Sequence, residues 1–186
     1  ILYTFPSQDE LERWAGRGVF MGYFLDWSGW KNAVFSLKHG LIPHHASHEE
    51  LGLHYKHHSL DSDNGAAVNF MMKYVKFGFG ETTEHTSYDV RAGRLTREEA
   101  AALVRRLDGK CSKKFIQSFC SWIGIRDDQF EEVVEKFRGP MWYKDNISQW
   151  QIKDPIWKSY EDIEKIDTEK LIERVDTVKF SKVKGG

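Results

Sequence analysis

Between Ala66 and Arg138, apolar residues recur at helical spacing, and each run is opened by a capping residue or closed by glycine. That punctuation constrains the fold more than any other feature, because it fixes both helix faces and helix ends. Ala67, Phe70, Met71, Tyr74 and Val75 share a face over Ala66 to Phe77, and Gly78-Phe79-Gly80 ends the run. Thr96 and Glu99 have capping-box spacing, which predicts a helix over Arg97 to Leu107 stopped by Asp108-Gly109. Ser112 opens a further helix with Phe115, Ile116, Phe119, Trp122 and Ile123 on its apolar face, and Asp127 opens one carrying Phe130, Val133, Val134 and Phe137. Three short helices with tight joints predict one compact packing unit.

The flanks are less regular. Ser7 with Glu10 predicts a short capped helix near Gln8. Val19 to Leu25 is apolar and aromatic and reads as a buried strand. Trp30, Ala33, Val34 and Leu37 form a helical stripe over Trp30 to His39, stopped by Gly40. Residues 41–65 are polar and irregular and hold six histidines. Gly139-Pro140 ends the helical run, and Met141 to Ile152 suggests a hairpin around Asp145-Asn146. The tail from Ser159 reads as charged with one weak amphipathic helix, its end from Lys179 solvated.

The chain's 186 residues suffice for one domain with a real core. A net charge of −1 gives no reason to expect a nucleic-acid partner. No apolar run approaches the roughly 20 residues of a membrane span, and Ile1-Leu2-Tyr3-Thr4-Phe5-Pro6 lacks a signal-peptide pattern. Cys111 and Cys120 match no C-x-x-C spacing, so a reduced, cytoplasmic compartment is the expectation.

The densest chemistry lies between Lys76 and Glu99. Gly78 and Gly80 let backbone approach a ligand closely. Arg91 and Arg94 can grip phosphate or carboxylate bidentately, with Lys76 and Arg97 as further cations. Thr96 marks a helix N-terminus, which favours an anion. His85 titrates near neutral pH, Asp89 can accept from sugar hydroxyls or hold an arginine, and Ser87 adds a hydroxyl. Two readings stand open: a site for an anionic, hydroxyl-rich ligand, or a surface loop whose arginines pair with Glu81, Glu84, Glu98 and Glu99.

The histidines also carry two readings. His44, His45 and His48, then His54, His57 and His58, include imidazoles three or four apart, which suit zinc if they share a helix face, with Glu49 and Glu50 nearby and His44, His45 and His48 as the candidate trio; otherwise the segment is a polar loop rich in histidine. Cys111, beside Lys110, Lys113 and Lys114, has the setting of a nucleophile, whereas Cys120 has core register. Trp27, Trp30 and Phe35 could stack a ring, though core packing is the expectation for at least two of them.

The order of these motifs resembles one family. Phe20-Met21-Gly22-Tyr23-Phe24-Leu25-Asp26-Trp27 precedes Lys31-Asn32 and Gly40-Leu41; Tyr55 to Asp61 precedes Lys76-Phe77-Gly78-Phe79-Gly80. Ser87, Arg91, Gly93, Thr96-Arg97-Glu98-Glu99-Ala100, Asp108-Gly109 and Phe130 to Arg138 follow. Over roughly residues 1–150 the pattern is similar to the C-terminal half of the N-acetyl sugar amidotransferases of bacterial surface-polysaccharide and O-antigen synthesis. Glu81 departs from it, standing where that family has arginine.

The resemblance implies an ATP-dependent enzyme of the ATP-pyrophosphatase type, with a Rossmann-like α/β nucleotide-binding part, using ATP and Mg2+. It implies activation of the acetamido carbonyl of a nucleotide-linked N-acetyl sugar. Ammonia from separate glutaminase and cyclase-like subunits then gives the acetamidino group. The family's Ser-Gly-Gly-x-Asp-Ser phosphate loop does not occur in this sequence. The expectation is therefore the C-terminal portion of such an enzyme, mainly α with a small β component. Residues 1–65 would end the nucleotide-binding part, 66–138 form a helical substrate cleft, and 139–186 a hairpin and charged tail. The implied anion and substrate contacts are Lys76, Gly78, Gly80, His85, Ser87, Asp89, Arg91, Arg94 and Arg97. The alternatives are a docking domain for the glutaminase partner on the helices from Arg97 to Phe137, or a histidine-based metal protein.

Overall fold

The computed structural model describes residues 4–14 and 16–182, and it is mainly helical. The expectations placed on Ile1 to Tyr3 and on the last four residues lie outside the described residues. In chain order the helices are α1 (Gln8–Trp14), α2 (Gly29–Lys38), α3 (His48–Leu51), α4 (Asp63–Phe77), α5 (Glu81–Arg91), α6 (Arg97–Leu107), α7 (Lys113–Ile123), α8 (Asp127–Phe137), α9 (Thr168–Val175) and α10 (Thr177–Ser181). Strands β1 (Trp142–Lys144) and β2 (Trp150–Ile152) form an antiparallel hairpin with Tyr143 opposite Gln151. Asp145 closes its turn, its Oδ1 accepting from the Ile147 and Gln149 amides at 3.0 and 2.8 Å.

The caps explain why the helices start where they do. Ser7 and Glu10 close a reciprocal box on α1, the Ser7 amide donating to Glu10 Oε2 at 2.8 Å. Thr96 and Glu99 do the same on α6, at 2.8 and 3.2 Å. The box at Ser47 and Glu50 starts α3, which the histidine-rich composition concealed. Helix α4 begins three residues before the expected Ala66, because Ser62 accepts from the Gly65 amide at 3.0 Å. At α7 the Ser112 side chain makes no cap bond, and α8 is entered from Arg126, whose amide donates to Gln129 at 3.0 Å, so Asp127 is its first helical residue rather than its cap.

Two packing groups form the body. Helices α7 and α8 lie on α4, where Val68, Cys120 and Phe130 are buried with Met71, Ile116, Phe119 and Val134 against them. Helix α6 instead pairs with α5 and with the tail, so the three short helices do not form one unit. Tyr55, Leu95, Leu103, Leu107, Leu171, Ile172 and Val175 make that second core. A third cluster of Leu51, Leu53, Ala67, Phe70 and Phe115 joins the histidine-rich segment to α4 and α7.

Two expectations fail here for identifiable reasons, and a third gains a qualification. Val19 to Leu25 is not a buried strand: Met21–Tyr23 is a single 3₁₀ turn, and Val19, Phe20, Tyr23 and Phe24 are exposed. Among the described residues the only sheet is the β1–β2 hairpin, so that run has no strand beside it to complete its backbone bonding. Residues 41–65 are irregular as expected apart from α3 and the first turn of α4, but they pack inward, with His44, Leu51, Leu53, His54 and Tyr55 all buried. The tail holds two helices rather than one weak amphipathic one, and α9 is strongly two-faced, with Leu171, Ile172 and Val175 in the core. Among the described residues, no helix is long and apolar enough to cross a membrane.

Candidate functional site

The stretch read as a loop after Gly80 is helix α5, and its most polar face is the buried one: Glu81, Thr82, His85, Thr86 and Asp89. Positions 81, 85 and 89 fall on one helical stripe. The partner of that stripe is the largely polar segment Leu53 to His58, and apart from His85 the buried face is hydrogen-bonded rather than packed on apolar side chains. Thr82 donates to the Gly52 carbonyl at 2.9 Å, and Thr86 to the Thr82 carbonyl at 2.8 Å. Gly52 ends α3 with φ +67°, and a Cβ there would lie 2.4 Å from the Lys110 carbonyl oxygen. Only glycine fits that crossing, which sets the segment's course toward α5.

The N-terminus of α5 has no side-chain cap of its own. Asp108, just past α6, supplies one from outside: it accepts from the Gly80 amide at 2.8 Å, the Thr83 amide at 3.3 Å and the Thr83 hydroxyl at 2.5 Å. Burial raises the Asp108 carboxyl above its ordinary range despite those bonds. Asp108→Ala removes the acceptor for two amides and a hydroxyl, and should cost about 2 kcal/mol in urea unfolding. An unchanged midpoint would remove Asp108 from this role.

Asp89 is fully buried and is the hub of the site. His54 Nε2 lies 3.0 Å from its Oδ2; Arg94 Nε donates to its Oδ1 at 2.5 Å, and the Tyr55 hydroxyl donates to the same oxygen. Burial alone would raise this carboxyl, yet the bonds from His54, Tyr55 and Arg94 hold it below its ordinary range. Burial raises the Tyr55 phenol, helped by the Asp89 charge. Arg94 also lies over the Trp30 ring at 5.2 Å, and the Trp30 indole donates to the Val175 carbonyl at 2.8 Å. The tail thus holds one cleft wall through α2.

A cleft of about 560 Å³ opens over this hub, lined by Trp27, Trp30, Tyr55, His57, His58, His85, Tyr88, Arg91 and Arg94 among others. That size suits a small-molecule ligand. His57 bonds Thr177 Oγ1 at 2.8 Å, and burial with neighbouring His58 pushes its imidazole down to about 4. Burial holds His85 well below its ordinary value, so both rings are neutral at neutral pH. Arg91 is exposed and rests on the Tyr88 ring at 4.9 Å. Among the described residues it has no carboxylate partner, unlike Arg94. Aromatic walls and a rim arginine suit a ring carrying an anionic group.

His85, Asp89, Arg91 and Arg94 therefore come together, with Asp89 beneath the cleft and the others on it. Ser87 and Arg97 lie on a second hollow of about 320 Å³, which shares Arg91; the Ser87 hydroxyl donates to the Glu84 carbonyl at 2.6 Å. Lys76 stands apart, over the Phe77 and Phe137 rings at 5.1 and 5.8 Å, and Gly78 only closes α4. Gly80 gives its amide to Asp108.

Tyr55, His57, His58 and Tyr88 were not singled out for the cleft from sequence; the signal for the first three was their place in an aromatic and histidine-rich run opposite α5, and for Tyr88 its place on α5 one turn from Arg91. Trp27 and Phe35 are exposed rather than core, and Trp27 with Trp30 lines the cleft. Cys111 is no activated thiol: burial pushes it up to about 11, and Lys114 pairs with Glu50 instead.

His44, His45 and His48 do not converge. His44 bonds Asp63 and, at 2.7 Å, the His58 carbonyl; His48 bonds the Leu53 carbonyl at 2.9 Å; His45 is exposed. A different trio does meet. His58, Glu81 and His85 place one ligand-type atom each within 4.8 Å of the others, while Lys73 holds the other side of Glu81 at 3.1 Å. The departure at Glu81 thus has a local explanation, as partner of Lys73 and two imidazoles.

Residues 52–157, more than half of the chain, match the family described as LPS biosynthesis protein WbpG-like, C-terminal domain. The matched stretch holds His54, His57 and His58 of the histidine-rich segment, α5 and the hairpin, whereas His44, His45 and His48 precede it. Among curated proteins, none matches the chain.

Proposed function

The chain belongs to the WbpG-like C-terminal domain family of LPS biosynthesis proteins, and from that membership we propose that it builds the sugar-nucleotide side of an ATP-dependent amidotransferase. The substrate is a nucleotide-linked N-acetyl sugar, whose acetamido group becomes acetamidino with ammonia from a glutaminase and cyclase-like pair. The observation that carries this reading is the cleft over Asp89. It joins aromatic walls for a ring to Arg91 and Arg94 for a diphosphate.

Each side chain has a distinct task in this reading. Arg91, free of carboxylates among the described residues, meets the ligand's charge. Asp89 fixes the angle of Arg94 and the Tyr55 hydroxyl, so neither has to be ordered when substrate arrives. Neutral His57, whose Nδ1 bonds Thr177, has its other ring nitrogen left for a sugar hydroxyl, while His85 lies behind it with both ring nitrogens buried.

The two helix N-termini of the Lys76–Glu99 stretch offer no cradle for the ATP phosphates of such a reaction. The N-terminus of α5 is closed by Asp108 and that of α6 by Thr96 and Glu99, leaving neither free to cradle phosphates. ATP and Mg2+ are proposed for the remainder of a full-length, cytoplasmic enzyme, whose α/β nucleotide-binding part is of the Rossmann-like, adenine nucleotide α-hydrolase type.

Arg91→Ala in the full-length enzyme should lower amidination by roughly 100-fold, the loss expected for a charge-assisted bond pair to an anion. The melting temperature should stay unchanged, because Arg91 is exposed. Wild-type turnover in that variant would sink the assignment.

A further inference from the structure

We propose that His58, Glu81 and His85 form a binding site for one transition-metal dication of the zinc class, set in the cleft wall with its remaining coordination position open to the cleft. This goes beyond the amidotransferase reading, which needs no such ion in this chain. It also differs from the sequence-derived trio His44, His45 and His48.

Geometry is the first support. Glu81 Oε1 lies 3.6 Å from His85 Nε2 and 3.6 Å from His58 Nδ1. Ligand atoms around tetrahedral zinc, each about 2.0–2.1 Å from the metal, stand roughly 3.4 Å apart. All three candidate atoms lie within 4.8 Å of one another, so a small contraction closes the set. Two imidazoles and a carboxylate suit zinc and its neighbours, not magnesium or calcium, which take oxygen.

The second support is independent. His85 is 2% exposed, and neither of its ring nitrogens has a hydrogen-bond partner among the described residues. A buried polar atom left bare is costly and rare. A cation on Nε2 relieves that nitrogen. Helix α5 also spaces Glu81 and His85 four residues apart, so both reach the same point from one rigid element.

The neighbours are compatible. Lys73 Nζ bonds Glu81 Oε2, leaving Oε1 to the two imidazoles and acting as an outer partner that orients the carboxylate. The Ser59 hydroxyl, 2.9 Å from His58 Nδ1, sits on a rotatable side chain that an ion can displace. Both histidines line the cleft, so three protein ligands would leave the fourth position facing a bound molecule, the pattern of reactive rather than purely structural zinc.

Chelator-stripped full-length protein should take up one Zn2+ per chain in calorimetric titration, confirmed by elemental analysis after gel filtration. Excess Mg2+ should not compete with Zn2+ for this site. Co2+ should give the visible absorption of a tetrahedral site. His85→Ala and His58→Ala should each weaken Zn2+ at least tenfold, while His45→Ala, at an exposed position, should leave it unchanged. His58 is the half-exposed member of the trio, so its variant keeps the test valid if His85→Ala fails to fold. Substoichiometric zinc, or full affinity in His58→Ala, overturns the proposal. Loss of binding in His45→Ala alone would move the metal to the other histidines and overturn it equally.

Discussion

Asp89→Ala should destabilise the protein by about 3–5 kcal/mol, the range for removing one partner of a buried ionic network. The substitution leaves His54, the Tyr55 hydroxyl and Arg94 without the carboxylate that all three share. His54 already has a bare Nδ1, so its ring would lose its remaining partner among the described residues. Chemical denaturation at neutral pH reads the loss directly. A change under 1 kcal/mol would mean that the hub is cosmetic.

The same variant carries a pH signature. Folding lowers the Asp89 pKa, so the folded state binds its proton less readily than the unfolded chain. The stabilisation is fully present above the unfolded value of about 3.9 and is lost as pH falls through the lower folded value. The gap between wild type and Asp89→Ala should therefore hold constant from pH 7 to 5 and narrow below about pH 4. A gap independent of pH down to acid unfolding would assign the loss to packing rather than to charge. His54, Tyr55 and Arg94 are the charged and titratable groups bonded to this carboxylate, and the comparison is made against each by double-mutant cycle.

What the sequence makes legible follows from range. Caps and glycine stops act within four residues, so the boxes at Ser7 and Thr96 and the glycine stops lie where spacing predicts. Helix α5 was hidden because its buried face is made of Glu81, Thr82, His85, Thr86 and Asp89, which periodicity of apolar residues cannot register. Its cap, Asp108, is 28 residues from the Gly80 amide it accepts from, beyond any local pattern. Arg91 and Arg94 could be proposed as anion contacts from type alone. Their division of labour could not, because it depends on Asp89 engaging one and leaving the other free. The histidines show the same limit: spacing favoured His44, His45 and His48, whereas His58 and His85 meet across 27 residues through tertiary packing.

Val175→Asp should be the most damaging change in the tail, and it tests whether the tail belongs to the cleft. Val175 is fully buried among Tyr55, Leu103 and Leu107, and an unpaired carboxylate there would have no partner. Keeping it ionised in place costs several kcal/mol, comparable to the whole stability of many domains. The cheaper response is for α9 to leave the core, exposing Leu171 and Ile172 as well. The Val175 carbonyl is the acceptor of the Trp30 indole, and Thr177 is the partner of His57. Detachment would thus release both a wall and a histidine of the cleft at once. The expected result is a melting temperature lower by at least about 10 °C, rapid proteolysis between Lys165 and Lys179, and red-shifted tryptophan emission. Zn2+ uptake should weaken less than stability, since His58, Glu81 and His85 are held by α5 and the segment before α4 rather than by the tail. If protease resistance and emission stay at wild-type values, α9 does not brace Trp30, and the cleft's floor must be held from α5 and α6 alone.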